Sequence, residues 1–227
     1  MHKNLSFQDL RMFSLFRNLG DEDLGRVLED VRKWGLEKDE VLLREGDISG
    51  SLYFVFSGWL KAEKISSEGR SQVLRFIGPG EVINELSVFS KAPNAMSVVA
   101  LEEAAVFSIS RATIEHLLET NPSFSRGVIQ SLSVRIQHLV SHVENLSFYS
   151  VETRLARFLL AEAEGNIVTR QSWKTQSEIA SRLGTVLDVL NRQMQEFVRR
   201  GLIDVQREQI IILNRLDLEK IAGDQPN

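Results

Sequence analysis

The chain has 227 residues, enough for one large domain or two modest ones, and its 43% hydrophobic and 26% charged residues are ordinary for a globular protein. The absence of cysteine excludes disulfides and iron–sulfur clusters, and no apolar run approaches the ~20 residues that span a bilayer, so we expect a cytoplasmic protein without a membrane partner. The net charge of −4 counts mildly against nucleic-acid binding, but the acidity lies in residues 1–120, whereas residues 149–227 hold 11 basic and 11 acidic side chains.

In the N-terminal half, the sequence pattern changes from helix to strand near residue 41. Residues 7–34 carry apolar side chains at helical spacing, with a break near residues 19–21, and predict helix. Between residues 41 and 109, short apolar runs recur at roughly ten-residue spacing between turn signals. This pattern predicts a small β-sandwich or barrel-like roll, and helix returns at residues 111–119.

Residues 123–148 predict one continuous helix, because they contain no proline and a single glycine. At 1.5 Å per residue this helix would be ~39 Å long. Its apolar stripe approaches a coiled-coil seam and is interrupted by one arginine. The stripe either packs within the chain or pairs with the same helix of a second subunit. In the second case the interface would comprise Val128, Leu132, Arg135, Leu139, Val143 and Leu146.

The C-terminal part predicts a helix over residues 150–164, then a pair of short helices, then a hairpin with strands at residues 202–206 and 210–213. Ala180, Gly184 and Leu190 have the spacing of a helix-turn-helix. A small residue lets the second helix approach the first, a glycine accepts the left-handed turn, and an apolar residue packs the second helix inward. The hairpin favours a winged arrangement that binds double-stranded DNA, and a purely structural corner is the alternative.

In the docked geometry, the second helix enters the major groove at residues 186–198. Arg192 can bond a guanine with two hydrogen bonds, Asp188 can accept from a cytosine amine, and Leu187 can touch only a thymine methyl. The start of the first helix can hold a phosphate through side chains and free N–H groups. The predicted DNA contacts are Thr175, Gln176, Thr185, Leu187, Asp188, Asn191, Arg192 and Gln195.

No catalytic residues are predicted, because the chain has no P-loop, no nucleophile elbow, no HExxH motif and no Cys/His pair. This pattern excludes the common enzyme classes. His138 and His142 lie one helical turn apart and could ligate a metal, but no third ligand is evident. A polar helix face is therefore the preferred interpretation, and no metal site is predicted.

Four blocks carry a family resemblance: "REGDISGSLYFVFSGWLK" (44–61), "IGPGEVINELSVFSKAPNAMSVVAL" (77–101), "VENLSF" (143–148) and "TQSEIASRLGTVLDVLNRQMQEFVRRGLI" (175–203). Through these four blocks the chain resembles the CRP/FNR family of bacterial transcription regulators. The resemblance implies an α+β fold with a jelly-roll-like β-roll sensor domain (1–120), a dimerisation helix (121–148) and a winged helix-turn-helix (149–227). It also implies a homodimer on a pseudo-palindromic site, with RNA polymerase as a partner.

The sensor domain departs from the cyclic-nucleotide binders of that family. Glu85 matches their ribose-binding glutamate, but Asn84 stands where they have glycine. Asn94 and Ala95 stand where Arg-Ser would hold the cyclic phosphate, so the charge-assisted contact to that phosphate is missing. Leu139 and Val140 replace two small hydroxyl residues that face the adenine. The resemblance thus places an effector pocket at Asn84, Glu85, Asn94, Ala95, Met96, Leu139 and Val140, and disfavours cAMP.

The effector itself has three candidates. The Pro-Asn pairing in "KAPNAMS" (91–97) resembles the nitric-oxide-responsive, haem-dependent DNR-like branch, which suggests haem as a possible cofactor and a gas as the signal. A small apolar metabolite is the second candidate, and a cyclic nucleotide with an altered clamp is the alternative to both. Many family members also have arginine where this chain has Leu187. We therefore expect a half-site that keeps one guanine contact and loses another.

Overall fold

The computed structural model describes residues 5–223. The helices are α1 Phe7–Arg11, α2 Asp21–Asp30, α3 Glu85–Ser90, α4 Arg111–Thr120, α5 Pro122–Phe148, α6 Val151–Glu162, α7 Gln176–Arg182, α8 Leu187–Arg199 and α9 Arg215–Gly223. The strands are β1 Arg32–Leu36, β2 Val41–Leu43, β3 Ser51–Ser57, β4 Leu60–Ile65, β5 Ser71–Ile77, β6 Val82–Ile83, β7 Ser97–Ala100, β8 Ala104–Ser110, β9 Ile167–Thr169, β10 Ile203–Val205 and β11 Gln209–Ile212.

The chain divides into two units. The first comprises Met1–Lys64 and Arg75–Gln137, and the second comprises Ile65–Leu74 and His138–Asn227. The predicted fold is confirmed: a β-sheet domain, a long helix and a C-terminal helix-turn-helix follow one another along the chain.

Two four-stranded sheets form the β-roll. Their strand orders are β1-β8-β3-β6 and β2-β7-β4-β5, and the pairs β1–β8, β3–β8, β3–β6, β2–β7 and β4–β7 are antiparallel. A core of small and branched side chains, including Val55, Leu60, Val98 and Val106, is shared by strands of both sheets. Strand β8 is central in its sheet and buried on both faces, which explains why its sequence is a continuous apolar run rather than an alternating one.

Helices cover the other face of the first sheet. Phe54 and Phe107 stack there with ring centroids 5.0 Å apart. Phe13 packs edge-on against both rings at 5.3 and 5.1 Å, in the geometry that aromatic quadrupoles favour. Helices α2 and α4 and the first turns of α5 complete this core. The roll is thereby buried on one outer face by the segments that precede and follow it.

The structure corrects the prediction of helix over residues 7–34. Helix α2 ends at Asp30, and residues 32–36 form the edge strand β1. Further elements that were not predicted include the strands β4 and β6, the short helix α3, the strand β9 and the C-terminal helix α9.

The predicted long helix is confirmed as α5, 27 residues from Pro122 to Phe148. Asn121 begins it, since its Oδ1 accepts the N–H of Phe124 at 3.1 Å, and a proline in the first turn has no amide that would lack a partner. No helix among residues 5–223 combines the length and apolar character that crossing a bilayer requires.

The second unit contains the winged helix-turn-helix. Helices α6 to α9 pack around a core that includes Leu159, Phe197 and Ile212. The wing is a three-stranded antiparallel sheet of order β10-β11-β9, and Val205 pairs with Ile210 across the predicted turn. The sequence therefore predicted the hairpin of β10 and β11 correctly but missed β9, the third strand of this sheet.

Candidate DNA interface and effector site

The turn between α7 and α8 has the geometry that its glycine allows. Gly184 has φ 64°, and its N–H donates to the Ser181 carbonyl at 3.1 Å. The next N–H, of Thr185, donates to the Ala180 carbonyl at 2.9 Å. Ala180 and Leu190 are both buried. The predicted spacing of small residue, glycine and apolar residue is therefore a helix-turn-helix in the structure.

We expect Gly184→Ala to lower the free energy of unfolding by ~1–2 kcal/mol, because an L-residue at this φ is strained. The added Cβ would also lie 2.5 Å from Leu146 Cδ2, so either this side chain or the turn must move, and the strained φ favours a displaced turn. Gly165→Ala is the control, since Gly165 has φ 63° with no atom within 4 Å of the new Cβ. Urea unfolding should show a loss in both variants, whereas DNA binding should weaken only in Gly184→Ala. Unchanged DNA affinity in Gly184→Ala would contradict the role of this turn.

The outer face of α8 is open to solvent. Leu187, Asp188, Arg192 and Gln195 are exposed, whereas Leu190, Met194 and Phe197 point into the core. Two other predicted contacts, Thr185 and Asn191, are partly exposed. Within residues 5–223, no ion pair involves Asp188 or Arg192. These two charged groups are therefore available for base edges.

Helix α7 begins with a side-chain cap. The Thr175 hydroxyl oxygen accepts the N–H of Glu178 at 3.2 Å, and Gln176 is the first helical residue. This cap leaves the hydroxyl proton of Thr175 and the first backbone N–H groups of the helix for an acceptor. Both predicted phosphate-contacting residues thus lie at the start of the helix, where an anion is favoured.

Other basic residues of this unit already have partners. Four such pairs are Lys174 with Glu162, Arg182 with His142, Arg199 with Glu196, and Arg200 with Glu152. The Glu196 pair lies on the surface, and its hydrogen bond from Arg199 lowers the pKa of Glu196. Three of these four pairs join a cation to a carboxylate, so part of the positive charge around α8 is balanced within the protein, whereas Arg192 has no ion-pair partner within residues 5–223.

The predicted effector glutamate lies in the first unit. The side chain of Glu85 is buried at the start of α3, and Arg135 of α5 donates to its Oε2. Arg135 Nη2 also donates to the Val82 carbonyl at 2.6 Å. An internal guanidinium therefore neutralises the carboxylate, as a buried charge requires.

The neighbouring predicted residues are held by backbone groups. Asn84 has φ 77°, a left-handed conformation that asparagine tolerates, and its Nδ2 donates to the Ser51 carbonyl. Asn94 is buried, and its Nδ2 donates to the Arg44 carbonyl at 3.0 Å. The next two residues, Ala95 and Met96, are partly exposed. None of these side chains supplies a positive charge for a phosphate.

Comparison with known proteins assigns both parts of the chain. Residues 34–121 match the cyclic nucleotide-binding domain family, and residues 153–221 match the Crp-like helix-turn-helix domain family. The chain is similar to the CRP-like cAMP-activated global transcriptional regulator of Mycobacterium tuberculosis, with 24% identity over 92% of this chain and 94% of that protein. It is 29% identical to the transcriptional activator protein anr of Pseudomonas aeruginosa over 90% of this chain and 86% of that protein.

Both domains, in this order, are those of the CRP/FNR family of transcription regulators. A solved structure, FixK2 from Bradyrhizobium japonicum, has the same fold with a TM-score of 0.74. That likeness covers 86% of this chain and 98% of FixK2, at 22% identity. The CRP/FNR fold that the sequence resemblance implied is therefore present over most of the chain, and DNA binding belongs to its helix-turn-helix.

The long helix α5 carries an exposed apolar seam. Ile129, Ile136 and Val143, spaced by seven residues, are 62%, 61% and 61% exposed. Leu139 and Val140, predicted for the effector pocket, are also exposed. A heptad spacing of exposed branched side chains is the pattern of a helix that pairs with another helix.

Two of the predicted dimer contacts face elsewhere. Val128 is buried in the core of its own unit, with Leu132 partly buried beside it, and Arg135 pairs with Glu85. In the single chain, the exposed apolar positions next to Val128 and Arg135 are therefore Ile129 and Ile136.

The two histidines of α5 do not share an environment. His142 is buried and contacts the Arg182 guanidinium, whereas His138 is exposed. Burial and the charges of Arg182 and Arg154 lower the pKa of His142 to about 4, so its ring is neutral at physiological pH. A neighbouring guanidinium disfavours a metal cation at this ring. Among residues 5–223, no group of three or more possible ligands is arranged to hold a metal ion.

The sequence analysis did not identify one charged residue of the roll as noteworthy. Arg75 lies in the middle of β5, within the apolar run "VLRFI" (73–77), and its side chain is only 27% exposed. An arginine inside an otherwise apolar strand was the available signal, because a charge at such a position needs a partner.

Proposed function

We propose that this CRP/FNR regulator binds DNA as a homodimer and responds to a small effector. Sensing is assigned to residues 1–120, dimerisation to residues 121–148 and DNA binding to residues 149–227. In a two-fold dimer the two α8 helices enter successive major grooves ~34 Å apart on a pseudo-palindrome. The observation that carries this proposal is the outer face of α8, where Asp188 and Arg192 are exposed and unpaired within residues 5–223.

Each α8 side chain has an assigned role. Arg192 donates to guanine, Asp188 accepts from a cytosine amine, and Leu187 contacts a thymine methyl. Asn191, Gln195 and Thr185 contribute further polar contacts along the groove. Thr175 and Gln176 fix the register by holding a phosphate at the start of α7. RNA polymerase is the partner that a regulator of this family requires, and the cytoplasm is the compartment where both meet.

Selection of binding sites from random duplexes tests the α8 assignment. We expect the wild-type half-site to lack one guanine that Leu187→Arg would restore, because arginine can make two hydrogen bonds to that base whereas leucine makes none. The restored contact should add ~1–3 kcal/mol of discrimination at that position only.

Arg207→Leu is a matched control, since it changes an exposed residue of the wing turn without altering α8. The site selected by Arg207→Leu should have the same base as the wild-type site at the position that Leu187 contacts. If Leu187→Arg selected the same bases as the wild type, the assignment of this side chain to a base edge would be wrong.

The effector is proposed to be something other than cAMP. Asn94 uses its amide on the Arg44 carbonyl, and Ala95 has no polar side chain, so neither replaces the Arg-Ser clamp expected for a cyclic phosphate. Haem with a gas signal and a small apolar metabolite remain the sequence-based candidates.

The cyclic-nucleotide alternative has two observations in its favour. The glutamate that would bind a ribose is retained as Glu85 and is buried at the start of α3. The relative from Mycobacterium tuberculosis is described as cAMP-activated. Calorimetric titration with cAMP separates this alternative from the first proposal, because micromolar binding requires a clamp that Asn94 and Ala95 do not offer.

A further inference from the structure

A two-residue joint connects the long helix to the DNA-binding helices. Helix α5 ends at Phe148 and α6 begins at Val151, so only Tyr149 and Ser150 lie between them. The joint lies within the second unit, which also includes the end of α5 from His138 onwards. Each residue of the joint contributes two soft backbone dihedrals, so side-chain contacts are needed to fix the angle between α5 and α6.

The guanidinium group of Arg157 makes contacts on both sides of this joint. Arg157 lies on α6, and its Nη1 donates to Oδ1 of Asn145, in the last turn of α5, at 3.0 Å. Its Nε donates to the carbonyl oxygen of Ala222 in α9 at 2.7 Å. Its central carbon lies 3.6 Å from the centroid of the Tyr149 ring, which is a cation–π contact. One side chain therefore connects α5, the joint, α6 and α9.

The ring of Tyr149 is held in place beside Arg157. Its hydroxyl donates to Oε1 of Glu144, one turn back on α5, at 3.1 Å. The N–H of Tyr149 donates to the carbonyl oxygen of Asn145 at 3.3 Å. The ring is therefore bonded at its hydroxyl end and through its own backbone, so it presents a fixed face to the guanidinium group.

The end of α5 also contacts the helix-turn-helix directly. His142 contacts the guanidinium group of Arg182 at the end of α7. Leu146 packs against the α7–α8 turn, since a Cβ on Gly184 would lie 2.5 Å from its Cδ2. Val143 of the exposed apolar seam lies in this same stretch of α5. One compact unit thus contains both a part of the seam and the helix α8.

We propose that Arg157 is a positioning residue for DNA recognition, which fixes the angle between α5 and α6 and thereby the distance between the two α8 helices of the dimer. This inference rests on the proposed function, because it requires a homodimer on a pseudo-palindrome. In such a dimer the seam sets the two-fold axis, and the joint sets how far α8 lies from that axis. A fixed angle matches one spacing between half-sites, since one additional base pair moves a half-site by ~3.4 Å and rotates it by ~35°.

A series of duplexes that differ only in half-site spacing tests this role. The selected half-sites are kept constant, and the spacer between them is shortened or lengthened by one or two base pairs. For the full-length wild type, a step of one base pair from the best spacer should weaken binding at least about tenfold, because both half-sites cannot then be bound at once. In Arg157→Met, which keeps the apolar stem but loses the hydrogen bonds and the cation–π contact, the same step should cost less than about threefold. Fluorescence anisotropy measures each affinity.

Arg215→Met is the matched control for this series. Arg215 also lies in the second unit, where its Nη1 donates to the Gly165 carbonyl at 2.6 Å and its Nε is paired with Glu219. These partners lie in α9 and just before β9, so the substitution leaves the contacts of the joint unchanged. Both variants should unfold at a lower urea concentration than the wild type, but Arg215→Met should keep the spacing preference. A general loss of stability is thereby distinguished from a change in the position of α8.

Three results would overturn the inference: a wild type that binds all spacings equally, an Arg157→Met protein that keeps the wild-type preference, or an Arg215→Met protein that loses it to the same extent. If Arg157→Met does not fold, Asn145→Ala is judged by the same series, because it removes the acceptor on α5 and replaces it with a strong helix former. Asn145→Ala should then relax the spacing preference. A wild type that binds no duplex at any spacing refutes the proposed function instead.

Discussion

Replacing Arg192 with alanine should strongly weaken sequence-specific DNA binding while leaving weak non-specific binding nearly unchanged. A two-hydrogen-bond contact to guanine contributes ~1–3 kcal/mol of discrimination, and a dimer loses it twice, so the affinity for the specific site should fall about 30- to 10⁴-fold. Arg192 is exposed, so the variant should fold normally. Fluorescence anisotropy with the selected duplex and with a scrambled duplex, at the same salt concentration, measures both affinities.

Arg199→Ala is the matched control for this prediction. It removes the same charge from the same helix, but Arg199 is paired with Glu196 at the C-terminal end of α8, away from the residues that enter the groove first. Its affinity for the selected duplex should fall less than about threefold, as expected for a surface ion pair. If both variants lost specific binding equally, the effect would be one of charge rather than base recognition.

Replacing Ile136 with glutamate should convert the protein to a monomer. Ile136 is 61% exposed in the single chain, and a two-fold axis along α5 brings the same position of both copies together. A carboxylate would then face its own copy in an apolar seam, where an unpaired buried charge costs ~3–5 kcal/mol. Dimer affinity should fall at least about 100-fold, measured by sedimentation velocity across a concentration series.

Gln137→Glu is the control that distinguishes the apolar seam from the other faces of α5. Gln137 is the next residue of α5 and is also exposed, but it lies about 100° around the helix from Ile136. The same negative charge at Gln137 should leave the protein dimeric. Circular dichroism should show native helix content in both variants, because neither side chain is buried in the chain itself. A dimeric Ile136→Glu at micromolar concentration would refute the pairing of α5.

The sequence predicted the elements whose pattern lies within one continuous stretch of the chain. Helix α5 has 27 residues without an internal proline, and the α7–α8 turn needs a glycine at positive φ, so both elements could be located from the sequence. The β-roll was equally accessible, because its apolar runs are separated by turns.

The missed elements lack such signals. Strand β1 is an edge strand with four of its five residues exposed, so it shows no alternation, and it follows α2 with no proline or glycine between them. Helix α3 has six residues, too few for helical periodicity to show. Strand β9 has three residues and forms only when β11 pairs with it.

The site was predictable in part for a related reason. The outer residues of α8 follow from helical geometry once Leu190 is turned inward, and the structure leaves them exposed. The Arg135–Glu85 pair joins residues 50 positions apart, and its existence depends on the tertiary fold rather than on spacing. Val128 and Ile129 are both branched and adjacent, and only their burial in the folded chain distinguishes the core position from the exposed one.

The internal pairing of the basic residues around α8 affects how DNA occupancy responds to ionic strength. Lys174, Arg199 and Arg200 already neutralise carboxylates of their own chain. A protein that brings few uncompensated cations to the duplex displaces few condensed counterions, so the logarithm of its binding constant falls only shallowly with the logarithm of salt concentration. Promoter occupancy would then follow the base sequence and the effector, and would be comparatively insensitive to osmotic changes in the cell.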